Sequence, residues 1–124
     1  MNQSIVIADD DPMTRRVLRC ILEQHGFHVA EACDGEETLA MVRDYQPDLL
    51  VLDVCMPKLD GFQVCHRLRE VTACPPRIMM LSARSRLEDI RRGLVNGADL
   101  YMTKPVYAEE IVREVKTIFG HATL

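Results

Sequence analysis

A chain of 124 residues is the length of one ordinary domain and leaves no room for a second folded unit. With 48% hydrophobic and 27% charged residues, its composition is that of a soluble globular protein, far from the low-hydrophobicity balance of disordered chains. A formal net charge of -4 lacks the strongly basic footprint of a nucleic-acid-binding domain, so no direct nucleic-acid binding is expected.

No apolar run reaches the roughly 18 residues of a membrane span, and the N-terminal stretch MNQSIVIADDD lacks the basic and apolar regions of a signal peptide. The expected location is the cytoplasm, with no membrane partner. Cys20, Cys33, Cys55, Cys65 and Cys74 form no CxxC pair and read as reduced thiols. His25, His28, His66 and His121 are scattered and read as surface or helix-end residues. Residues 1–120 are expected to form the domain, with 121–124 a C-terminal tail or the start of a linker.

In chain order, Ser4 to Ala8 (SIVIA) predicts a buried strand, and Asp11-Pro12 opens a helix with Met13, Val17, Cys20 and Ile21 on one face, stopping near Gly26. His28 to Cys33 alternates like a strand. Asp34-Gly35 then turns the chain into a helix over Glu36 to Tyr45 with Leu39 and Val42 inward. Leu49 to Asp53 (LLVLD) is an apolar run ending in a carboxylate, which suits a central parallel strand covered on both faces. A helix from about Phe62 to Arg69 leads to a fourth strand, Arg77 to Ser82. A fourth helix has Leu87, Ile90 and Leu94 as its inner stripe and ends near Asn96-Gly97. Leu100 to Thr103 is a short fifth strand, and Tyr107 to Phe119 a fifth helix facing inward through Ile111, Val115, Ile118 and Phe119.

Strands alternating with helices imply an α/β fold, an open doubly wound parallel sheet with helices on both sides. Functional groups of such sheets gather beyond the carboxyl ends of the strands. The polar residues obey that rule: Asp9 and Asp10 follow the first strand, Asp53 ends the third, Ser82 ends the fourth, and Lys104 follows the fifth. Three carboxylates brought together repel one another, and a hard divalent cation with oxygen ligands, such as Mg²⁺ or Mn²⁺, is the least costly remedy. Mg²⁺ commonly bridges carboxylates to a phosphate, so the set suits phosphoryl chemistry. Lys104 adds a mobile point charge for a phosphoryl oxygen, Ser82 a hydroxyl donor, and an Asp carboxylate is a known nucleophile for such transfer. Each residue alone has a plainer reading, as a helix-capping turn, a strand end or a loop lysine. It is their joint placement on successive strand ends that carries the argument.

These residues resemble the response-regulator receiver family along essentially the whole chain. IVIADDDPMTRR is similar to its first strand and acidic pair, LLVLDVCMPKLDG to its phosphoacceptor strand and loop, MMLSA to its fourth-strand hydroxyl motif, and GADLYMTKP to its switch aromatic and lysine. The resemblance implies a flavodoxin-like, chemotaxis-regulator-like (βα)5 fold with strand order 2-1-3-4-5. It makes Asp53 the phosphorylated residue, Asp9 and Asp10 the acidic pair, and the main-chain carbonyl of Cys55 a further metal ligand. It makes Ser82 the switch hydroxyl, Tyr101 the switch aromatic, Lys104 the phosphate-binding lysine and Asp11 a helix-opening residue. Cys55 and Arg84, two residues beyond the phosphoacceptor and the switch hydroxyl, flank the path of an attacking water and tune phosphoryl lifetime. Ser82 is the less usual alternative to Thr, and Leu100 replaces an Asp often found before the aromatic.

The implied donor is the phosphohistidine of a histidine kinase or a histidine phosphotransfer protein. The implied readout is the face formed by the fourth helix, fifth strand and fifth helix, displaying Arg86, Arg91, Arg92, Tyr101 and Glu109. That face would serve an effector domain, another partner or a phosphorylation-dependent dimer. The chain would catalyse only its own phosphorylation and slow dephosphorylation. A phosphatase of the haloacid-dehalogenase type carries a second Asp two residues after its nucleophile, where this chain has Cys55. A degenerate receiver acting as a constitutive binding module would lack motif residues that are all present here.

Overall fold

The computed structural model describes residues 3–120, so the expected tail at 121–124, with His121, lies outside the described residues. Ten elements alternate: β1 (Ser4–Ala8), α1 (Pro12–Gln24), β2 (His28–Ala32), α2 (Gly35–Tyr45), β3 (Leu49–Leu52), α3 (Gly61–Val71), β4 (Arg77–Ser82), α4 (Leu87–Val95), β5 (Leu100–Thr103) and α5 (Ala108–Ile118). All pairings are parallel, and the strand order is β2-β1-β3-β4-β5.

Successive strand side chains point to opposite faces, so the apolar strands divide their residues between two cores. Ile5, Ile7, Leu49, Val51, Met79 and Leu81 meet Leu18 and Leu22 of α1 and Ile111, Val112 and Val115 of α5. Val6, Leu50, Leu52, Ile78 and Met80 meet Val42 of α2 and Phe62, Val64 and Leu68 of α3 on the other face. Burying each such aliphatic side chain contributes about 1.5–3 kcal/mol, which makes the three central strands the common wall of both cores.

Helix starts follow local chemistry. Asp11 accepts from Met13 N and Thr14 Oγ1 ahead of Pro12, Asp34 caps α2 through Glu37 N, and Asp60 with Gln63 closes a capping box on α3.

Two inner stripes differ from those expected. In α1 the buried residues are Leu18 and Leu22, while Met13 is 67% exposed, Val17 and Cys20 are exposed and Ile21 is half-buried. A helix turns about 100° per residue, so a one-residue error in phase aims the stripe at solvent. In α4, Leu87 is 76% exposed and Leu94 is exposed, while half-buried Ile90 and buried Gly93 face the sheet. The backbone of α4 approaches so closely that a Cβ at Gly93 would lie 2.8 Å from both Met80 Sδ and Tyr101 Cδ2. The expected strand ends at Cys33 and Asp53 fall one residue earlier, at Ala32 and Leu52.

Candidate functional site

The parallel ladder runs one residue past the strand ends and so fixes the backbone of each residue at the sheet edge. Asp9 N donates to Ala32 O (3.2 Å), Asp53 N to Ala8 O (2.9 Å) and Lys104 N to Ser82 O (2.8 Å). From those positions Asp9, Asp10 and Asp53 bring carboxylate oxygens within 4.8 Å of one another. Asp9 is 3% and Asp53 8% exposed, while Asp10 faces solvent. Such a cluster of hard oxygen donors fits a divalent metal ion.

Lys104 closes the cluster from the β5 side. Its Nζ lies 3.0 Å from Asp9 Oδ2 and 3.4 Å from Asp53 Oδ2. Asp53 also accepts from Cys55 N (3.2 Å) through Oδ1. Burial pushes the Asp53 carboxyl above the ordinary carboxylate range; the Lys104 charge opposes this and the Asp9 charge adds to it. Burial also works against the Lys104 ammonium, but the bond to Asp9 and the charges of Asp53 and Asp9 outweigh it, and its pKa is raised. Gly61 keeps the rear of the pocket close: a Cβ there would lie 2.7 Å from Asp53 O.

Ser82 is fully buried and its Oγ accepts from Arg84 N (3.1 Å). The Tyr101 hydroxyl donates to Arg84 O (2.7 Å), so the loop after β4 joins the hydroxyl of Ser82 to the ring of Tyr101. Burial raises the Tyr101 pKa, against the nearby Ser82 hydroxyl, which lowers it. The Arg84 guanidinium interacts with the nearby Cys55 side chain, which raises its pKa, and lies 3.5 Å from Asp89 Oδ1. Asp9, Asp10, Asp53, Ser82 and Lys104 thus converge at the strand ends, with Cys55 and Arg84 in contact beside them.

Of the residues expected on the face of α4, β5 and α5, Arg92 is placed differently. Its guanidinium lies 4.3 Å from the centroid of the Phe62 ring on α3, where the cation meets the face of the aromatic ring. Arg15 has no part in the expectations from sequence, yet its Nη1 donates to the main-chain carbonyl of Asp9 (2.6 Å). Beside Arg16 in the run MTRR, nothing local marks which of the two turns inward.

The family model described as the response regulator receiver domain matches residues 5–116. The alkaline phosphatase synthesis transcriptional regulatory protein PhoP of Bacillus subtilis is 44% identical over 124 residues, covering 100% of this chain and 51% of that protein. The DNA-binding dual master transcriptional regulator RpaA of Synechocystis is 42% identical over 116 residues, covering 92% of this chain and 48% of that protein. The chain therefore spans about half the length of these curated relatives. Among solved structures, a Francisella response regulator receiver domain superposes with a TM-score of 0.90 at 30% identity, covering 96% of this chain and 98% of that one. CheY in a CheX-CheY-BeF3-Mg complex from Borrelia burgdorferi superposes with a TM-score of 0.88 at 28% identity, covering 94% and 89%. With matching fold, acidic cluster and sequence, the chain belongs to the response regulator receiver domains of two-component signalling.

Proposed function

We propose that Asp53 is the phosphoacceptor, and that the donor is the phosphohistidine of a histidine kinase or histidine phosphotransfer protein. The observation that carries this reading is the Lys104 ammonium bridging Asp9 and Asp53 inside a cluster of three carboxylates. An Asp53 carboxylate oxygen bonds to phosphorus as the phosphorus–nitrogen bond breaks, and the electron pair stays on the donor imidazole. Asp9, Asp10, Asp53 and the Cys55 main-chain carbonyl would hold Mg²⁺ (or Mn²⁺), which when bound supplies charge neutralisation at the phosphoryl oxygens. Lys104 leaves Asp53 to pair with one phosphoryl oxygen, and Ser82 donates to another. An apolar groove of about 600 Å³ lined by Met13, Val17, Leu18, Pro105, Val106 and Ile111 opens beside Lys104 and suits the docking of a donor helix.

Because Arg84 contacts both Ser82 and Tyr101, movement of the Ser82 hydroxyl towards a phosphoryl group would be felt at β5 and α4. The exposed Leu87 and Val95 of α4, with Tyr107 ahead of α5, suit a protein contact on that side: an effector domain or a phosphorylation-dependent dimer. The curated relatives are named as transcriptional and DNA-binding regulators, which favours DNA binding by another domain as the output.

The test is intact-mass measurement after treatment with acetyl phosphate. One phosphate on the wild type in Mg²⁺, and none on Asp53→Asn or in excess EDTA, supports the reading. Phosphate on the variant overturns the assignment, and an unmodified wild type favours a constitutive binding module.

A further inference from the structure

Every polar atom of Asp9 is held, and one of those bonds has no part in the phosphoryl chemistry. Oδ1 accepts from Asp11 N (2.9 Å) and Oδ2 from Lys104, while the main-chain carbonyl accepts from Arg15 Nη1 at 2.6 Å. Arg15 lies in the first turns of α1, and its side chain, 16% exposed, folds back over the turn between β1 and α1. Its Nε pairs with Glu31 Oε1 (3.1 Å) on β2. Glu31 Oε2 is held in turn by Arg19 (3.2 Å), and Arg19 by Glu23 (3.2 Å). Neighbouring Arg16 is exposed. The rigid fork of Arg15 therefore joins β2 and α1 to the residue that begins the acidic pair.

We infer that Arg15, anchored by Glu31, is a positioning residue for the metal-binding acidic cluster. Three carboxylates within 4.8 Å of one another repel, and because the ladder holds Asp9 only through its N, the peptide leading to Asp10 would turn outward unless its carbonyl were held. The bond to the Asp9 carbonyl opposes that relaxation, so the cluster meets a divalent ion already assembled. This inference rests on reading the cluster as a divalent-cation site.

The sign of the effect separates positioning from simple charge. As a mere cation near the site, Arg15 would repel Mg²⁺, and its removal would tighten binding. As a positioning residue, its removal loosens the site and weakens binding.

The experiment is calorimetric Mg²⁺ titration of the full chain, with circular dichroism and urea unfolding as controls for the fold. Arg15→Ala should weaken Mg²⁺ binding by about tenfold, the lower end of what loss of a supporting partner does to metal affinity. Arg15→Lys, with a single nitrogen in place of a fork for two partners, should recover part of the loss. Glu31→Gln, which keeps the Arg15 charge but turns its ion pair into a weaker neutral hydrogen bond, should weaken binding by about threefold. Unchanged or tighter binding in folded Arg15→Ala overturns the inference, and so does unchanged binding in Glu31→Gln should Arg15→Ala fail to fold. A wild type that binds no Mg²⁺ overturns instead the reading of the cluster.

Discussion

The Lys104 ammonium occupies the ground between Asp9 and Asp53, 3.0 Å from one carboxylate and 3.4 Å from the other, and so competes with any other cation for the same oxygens. Its charge offsets the repulsion within the cluster and opposes metal entry, while on the proposed function it would pair with an incoming phosphoryl oxygen. Lys104→Met should therefore separate two properties. Mg²⁺ should bind about fivefold more tightly, the effect of removing roughly 1 kcal/mol of like-charge repulsion at such a distance in a wet site. Phosphorylation by acetyl phosphate at saturating Mg²⁺ should slow by at least about tenfold, or 1.4 kcal/mol in barrier. Weaker Mg²⁺ binding or an unaltered rate would contradict this account.

Gly93 sets how closely α4 lies on Tyr101. With Met80 Sδ and the Tyr101 ring each 2.8 Å from where a Cβ would stand, Gly93→Ala must displace both of them or lift α4. Overpacking of this kind costs about 1–3 kcal/mol. The flexible Met80 side chain can yield, but the ring is tethered by its hydroxyl to Arg84 O. Urea unfolding should show the variant destabilised by about 1–2 kcal/mol, and the NMR signals of Tyr101 and Arg84 should shift further than those of α1. Full native stability with an unmoved Tyr101 would show that α4 is free to lift.

Much of this molecule is legible in its sequence because local signals agree with the fold. The unbroken apolar runs LLVL and IMML, too short for buried helices, suit strands covered on both faces, and Asp11, Asp34 and Asp60 stand where helices begin. The strand-end placement of Asp9, Asp53, Ser82 and Lys104 follows once the strands are set. What the sequence hides depends on distances across the chain. The phase of α1 is ambiguous because Met13 and Val17 are as apolar as Leu18 and Leu22. The close approaches at Gly61 and Gly93 look like ordinary loop and helix glycines. Arg15 differs from Arg16 only in having Glu31 of β2 within reach, and Arg92 covers Phe62 because α3 lies alongside.

Cys65 gives a pH signature free of the metal site. Its side chain is fully buried on α3, and burial pushes the thiol up to about 12 from 9.0. A group whose folded pKa is raised contributes stability in full below the unfolded value, and loses it as pH rises towards the folded value. Between pH 8 and 10 the unfolded chain ionises Cys65 and the folded chain does not. Wild type should therefore lose about 1 kcal/mol more over that interval than Cys65→Ala, in which this ionisation is absent. Urea unfolding at the two pH values measures the difference, and parallel losses would refute it. A thiol reagent at pH 8 should correspondingly modify exposed Cys20, Cys33, Cys55 and Cys74 well before Cys65.

If Asp53 is the phosphoacceptor proposed above, the pairing of Arg84 with Cys55 should set how long its phosphoryl group survives. Arg84 is pinned at both backbone atoms, its N to Ser82 Oγ and its O to the Tyr101 hydroxyl, and its guanidinium extends to the Cys55 side chain and to Asp89. Cys55 is tied to Asp53 through its backbone N, so on the proposed function these two side chains would flank the path by which water reaches phosphorus in line with the leaving oxygen. A thiol orients water poorly, and a planar, permanently charged guanidinium obstructs its path, so both slow hydrolysis. Arg84→Ala combined with Cys55→Asn should shorten the phosphoryl lifetime several-fold, about 1 kcal/mol in barrier. Because the two residues touch, their effects should not add: in an Arg84→Ala background, Cys55→Ala should change the rate by less than about twofold. Phosphate release at fixed Mg²⁺ without a donor measures each rate. Unchanged or slower release in the double variant would remove Arg84 and Cys55 from the control of lifetime, and strictly additive single effects would show that they act on the water separately.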